Sequence, residues 1–196
     1  MNRNNYFRLS NGNKAKLPFS DNEYENRLKG LKKIITEKNL DAIILTSMQN
    51  IAYYSGFLYC SFGRPYACVV TSETSTVVSA NIDAGQPGRR CYGNNLIYTD
   101  WERNNYLKAI ISLVKNPKKI GIENDHLTME RHHIMKDAFN NSEIIDIAPE
   151  TMTQRMIKSD EEIDLIRSGS KIAEIGARAL IKEIKVGARE IDIAMA

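Results

Sequence analysis

The sequence predicts an α/β domain with a mixed sheet flanked by helices. Short, fully apolar or β-branched runs at residues 41–46, 119–123 and 143–147 alternate with segments whose apolar residues recur at helical spacing. Two further β-branched runs, 66–71 and 76–79, are separated by four polar residues, which adds an antiparallel hairpin to strands otherwise joined by helices. At 196 residues, 42% hydrophobic and 26% charged, the chain has ordinary globular composition and needs no disulfide to fold.

Residues 1–20 are polar, with Asn, Lys and Arg prominent, and read as an extended N-terminal arm. Ser20 and Glu23 have the spacing of a capping box, and Tyr24, Leu28, Leu31 and Ile35 continue a helix to about Asn39. The buried strand at 41–46 follows, then an aromatic-rich stretch and the hairpin. Residues 83–88 are a loop by their Gly and Pro content, and 96–99 a strand. Tyr106, Ala109, Ile110, Leu113 and Val114 form a helix face that Pro117 stops. A strand at 119–123, a helix from Thr128 to Phe139 and a strand at 143–147 complete a domain expected to span 21–157. From Ser159 a second capping sequence opens a long amphipathic helix to about Lys185, with Gly187 beyond it. Residues 158–196 are expected to be the first helices of a second domain, interrupted where the chain ends.

The net charge of +3 is small and dispersed among Glu and Asp, so no nucleic-acid partner is expected. No apolar run approaches the ~18 residues of a membrane span, and residues 1–20 carry no secretory signal. Cys60, Cys68 and Cys91 are odd in number and lack metal-ligand spacing, which suits free thiols in a cytoplasmic protein. His126, His132 and His133 have no partner at ligand spacing; His126 reads as a satisfied loop histidine. Asp160, Glu161 and Glu162 are explained by helix capping. No phosphate-binding glycine motif is present.

Between the first strand and the hairpin, residues 53–66 hold four Tyr, two Phe and a single Arg. Aromatic rings beside one guanidinium suit a small carboxylate ligand, which the Arg fork grips bidentately while the rings exclude water. An aromatic mini-core with Arg64 as a surface charge is the competing interpretation.

Several stretches here resemble the creatinases (creatine amidinohydrolases). They are Phe57-Leu-Tyr-Cys-Ser-Phe-Gly-Arg-Pro-Tyr66, Ser79-Ala-Asn-Ile-Asp83, Gly85-Gln86-Pro87, Arg89-Arg90 and Tyr98-Thr-Asp-Trp101, followed in order by Ile120-Gly-Ile-Glu123, Asp125-His-Leu127 and Arg155-Met-Ile-Lys-Ser159. The similarity runs from about Ser20 to the end, and its Lys158-Ser159-containing part is shared with proline dipeptidases and Xaa-Pro aminopeptidases. Gly88 stands where the creatinase pattern has Trp.

The resemblance implies a creatinase/prolidase-type N-terminal domain followed by the start of a "pita-bread" catalytic domain. It implies a homodimer in which Phe62 and Arg64 bind substrate in trans, a guanidino acid such as creatine being hydrolysed to sarcosine and urea. The resemblance assigns no catalytic residue, metal or cofactor to this chain; the catalytic His would belong to a part of the protein beyond residue 196. An Xaa-Pro metallopeptidase relative and a non-enzymatic dimerisation domain are the alternatives. If the resemblance holds, Arg64 lies on a loop between a helix near Tyr53 and the strand starting at Tyr66, held by Gly63 and Pro65, and points outward; the contrary expectation is internal pairing of Arg64 with an acid.

Overall fold

The computed structural model describes residues 4–9, 12–59, 63–83 and 85–195. The chain divides into two compact units, Met1–Met156 and Ile157–Ala196.

The first unit is a seven-stranded mixed sheet with helices around it. Its elements are β1 (Tyr6–Phe7), α1 (Asp21–Lys38), β2 (Ala42–Leu45), α2 (Met48–Ser55), β3 (Ala67–Val70), β4 (Ser75–Ala80), α3 (Gln86–Arg90), β5 (Asn94–Tyr98), α4 (Asn105–Leu113), β6 (Lys119–Ile122), α5 (Met129–Ala138), β7 (Glu143–Asp146) and α6 (Ala148–Met156). The strand order is β1-β5-β4-β3-β2-β6-β7. β3 is antiparallel to both β2 and β4, while β4–β5, β2–β6 and β6–β7 are parallel pairs. Thus β2, β4, β5, β6 and β7 all point the same way, and their carboxyl ends share one edge of the sheet. Every residue of β2, β3 and β4 is buried, so both faces are covered, as such apolar strands require. α1 packs with α2 and α6, and α4 packs with α5.

Local chemistry sets the boundaries. Ser20 caps α1 by accepting from the Glu23 N–H, and Asn39 ends it at φ 53°, donating to the Ile35 and Thr36 carbonyls. Ser47 and Thr128 cap α2 and α5 in the same way. The hairpin pairs Cys68 with Val77 and Val70 with Ser75.

α2 is the helix expected near Tyr53, and three other elements go beyond the sequence reading. β1 lies in the polar arm and pairs antiparallel with β5, Tyr6 opposite Tyr98. α3 takes up the end of the segment read as a loop, and α6 follows β7. All are short, and none has enough apolar periodicity to stand out.

The second unit contains α7 (Asp160–Glu183) and α8 (Glu190–Ala194). Its capping box is complete: Glu162 N–H donates to Ser159 Oγ at 3.2 Å, and Ser159 N–H to Glu162 Oε2 at 3.0 Å. Along α7, Ile166, Ile172 and Ile175 are exposed. Among the described residues no helix is long and apolar enough to cross a membrane.

Candidate functional site

The loop from α2 to β3 brings residues 57–59 and 63–66 to the carboxyl edge of the sheet. Phe57, Tyr59 and Tyr66 are buried, and Tyr59 stacks on Tyr66 with ring centroids 4.1 Å apart. Phe57 lies 6.2 Å from each of them. These rings form the aromatic mini-core that composition allowed. Burial pushes the Tyr59 hydroxyl up to about 12, and burial together with a hydrogen bond to Asp83 raises that of Tyr66. Both stay neutral donors at physiological pH and serve the fold. Phe62 and Cys60 lie outside the described residues.

Arg64 is different. Its side chain is 44% exposed, and its Nε donates to Asp100 Oδ1 at 2.8 Å. Gly63 before it adopts φ +75°, a left-handed conformation other residues rarely take, and Pro65 after it has a fixed φ. The carbonyls that follow are tied to the sheet: Tyr98 OH donates to the Pro65 carbonyl and Tyr106 OH to that of Tyr66, both at 3.0 Å. The Arg64 backbone is therefore anchored while its guanidinium reaches solvent. Internal pairing and exposure, posed as alternatives by the sequence, hold together.

The Tyr98–Trp101 stretch acts as a bracket. Tyr98 holds the Arg64 loop, and Asp100 holds the Arg64 side chain. Thr99 Oγ1 and Trp101 Nε1 both donate to the Asn4 carbonyl and so fix the arm. The sequence marked this stretch as part of the resemblance but assigned it no contact; an acid 36 positions from Arg64 leaves no signal at short spacing.

Beside the loop, Thr46, Pro65, Tyr106, Leu107, Leu127 and Arg131 line a cleft of about 330 Å³. Next to it Glu123, 1% exposed, accepts from the Thr46 and Ser47 backbone N–H groups, the Ser47 hydroxyl and the Asn50 side-chain amide. A carboxylate with four donors at a helix N-terminus is a structural clamp joining β6 to the start of α2. His126 Nδ1 lies 3.1 Å from Thr46 Oγ1. Cys68 and Cys91 are buried free thiols, Cys68 pushed up to about 12 by burial. Among the described residues no group of three or more His, Cys, Asp or Glu is placed to hold a metal ion.

The helix-flanked mixed sheet and its anchored aromatic loop define a class: the chain belongs to the creatinase/prolidase N-terminal domain family, which matches residues 27–157. Within that class it is 43% identical over 188 residues to the creatinase of Bacillus sp. (strain B-0618), a match spanning 94% of this chain and 46% of that protein. Among solved structures, the prolidase from Pyrococcus horikoshii OT3 superposes with a TM-score of 0.71 at 20% identity, over 87% of this chain and 46% of that one. The creatinase/prolidase N-terminal domain of an X-Pro dipeptidase from Streptococcus pyogenes gives 0.58 at 18% identity, covering 65% of this chain and 98% of that one. These two likenesses concern the fold. The chain spans about half the length of the curated relatives it matches.

Proposed function

We propose that this chain is the N-terminal part of a creatinase-type amidinohydrolase, dimerising and lending Arg64 and Phe62 in trans to a guanidino-acid substrate such as creatine. The observation that carries this is the 43% identity to the Bacillus sp. creatinase over 94% of the chain. An anchored loop presenting an exposed guanidinium supports it, because a charge-assisted Arg fork suits the carboxylate of an amino-acid-like substrate. In this reading a catalytic domain of another subunit supplies the general base that directs water onto the guanidinium carbon, releasing urea. Residues 158–196 are the start of the chain's own catalytic domain, whose sheet covers the exposed Ile166, Ile172 and Ile175. Buried free thiols agree with a cytoplasmic setting.

The test is a fusion of this chain to the catalytic half of the Bacillus sp. creatinase, assayed for urea release from creatine and for proline release from Xaa-Pro dipeptides. Urea release by a sedimenting dimer supports the proposal. Dipeptide cleavage without urea, or a folded monomer with neither activity, contradicts it.

A further inference from the structure

We propose that Asp100 is a positioning residue for Arg64: it takes the Nε–H of the guanidinium and so aims the two terminal Nη groups at a ligand carboxylate. This inference rests on the carboxylate-binding reading of Arg64. Its geometric part stands on the described contacts alone.

A guanidinium offers two useful edges, one formed by Nε and an Nη, the other by the two Nη groups. Asp100 Oδ1 bonds Nε at 2.8 Å, and the Nη groups make no hydrogen bond among the described residues. Pinning Nε fixes the planar group in orientation and leaves the paired Nη edge without a bond to the described residues, open to a bidentate contact. The backbone at both ends of the pair is held as well. Tyr98 and Tyr106 tie the Pro65 and Tyr66 carbonyls, and Asn105 Nδ2 donates to the Thr99 carbonyl at 3.1 Å, next to Asp100. With side chains 44% and 29% exposed, the ion pair itself contributes little to folding stability. Its consequence is orientation: an Arg already ordered loses less freedom when a carboxylate arrives.

Position and charge make opposite demands on Asp100, and this separates its roles. Asp100→Asn keeps an oxygen that accepts from Nε while removing a negative charge that repels an incoming carboxylate. Asp100→Ala removes both. The two variants therefore diverge if aim matters and coincide if only charge matters.

The experiment uses the fusion of this chain with the creatinase catalytic half, labelled with ¹⁵N, with sarcosine and acetate as carboxylate probes. The Arg64 Nε–H signal is followed for its shift and its exchange with water, and the dissociation constant is read from its movement on titration. The expected result is a slowly exchanging signal in the wild type and in Asp100→Asn, lost to rapid exchange in Asp100→Ala. Carboxylate binding should weaken about three- to tenfold in Asp100→Ala, and stay within about twofold of wild type in Asp100→Asn. Equal binding by the Asn and Ala variants, or an unchanged Nε–H signal in Asp100→Ala, overturns the proposal. A well-ordered Arg64 that responds to neither probe in the wild type instead overturns the carboxylate-binding reading and leaves the pinning of Arg64 by Asp100 in place.

Discussion

Glu123 shows how much one side chain can hold at the carboxyl edge. It is 1% exposed and satisfies two backbone N–H groups, a hydroxyl and an amide. Removing it strands those donors in the interior, where each unpaired group costs about 1–3 kcal/mol. Glu123→Ala should therefore lower the unfolding free energy by about 3 kcal/mol or more, measured by urea denaturation. Glu123→Gln, which keeps an accepting oxygen, should lose less. A change below about 1 kcal/mol in the Ala variant would show that water replaces the carboxylate freely. The sequence marked Glu123 only as part of a strand-ending motif. Its partners at 46, 47 and 50 are over seventy positions away, a distance no local pattern reveals. Arg64 was legible as a candidate because it is the single cation in an aromatic stretch; its partner Asp100 was not.

At the scale of elements, the long apolar runs were legible and the short pieces were not. The apolar stretch at 41–46 contains β2, and the β-branched pair marks β3 and the middle of β4, because burial on both faces leaves continuous hydrophobic runs. β1 has two residues, and its place comes from backbone pairing and from Thr99 and Trp101, none of which a polar arm announces. The arm also lies close to Gly88. A Cβ at Gly88 would lie 3.3 Å from the Leu9 carbonyl, a tight contact that any side chain there must press on. Gly88→Trp should dislodge residues 4–16 and raise their cleavage in limited proteolysis, at a cost of about 1–3 kcal/mol. Unchanged cleavage would mean the indole finds another path. α7 belongs to the same scale. With Ile166, Ile172 and Ile175 exposed, its amides should exchange hydrogen far faster than those of β2 and β3. Comparable protection in a proven monomer would show that the stripe is covered.

For the molecule as a whole, the buried hydroxyls and thiols set an alkaline limit. Tyr59 and Cys68 are both held up to about 12 by burial, above the ordinary values of 10 and 9 that they regain on unfolding. The neutral forms therefore belong to the folded state. Their contribution to stability is complete below about pH 9 and is lost as pH rises toward 12. The urea midpoint should be level between pH 6 and 8 and fall above about pH 9, with tyrosinate absorbance appearing together with unfolding. A noncooperative rise in that absorbance on a still-folded chain would contradict the buried aromatic core. The same inventory bears on activity. His126 is engaged with Thr46, and in the proposed reading the general base belongs to the catalytic domain rather than to residues 1–157. Purified alone, the 196-residue chain should release no urea from creatine above a buffer control.

The proposed role of the Arg64 loop is tested most directly by Arg64→Ala in the fusion with the creatinase catalytic half. Loss of a charge-assisted carboxylate contact costs about 1.5–3 kcal/mol, so the KM for creatine should rise at least about tenfold while the fold, read by circular dichroism, is unchanged. An unaltered KM in that folded variant would remove Arg64 from substrate binding and leave the loop a purely structural corner of the domain.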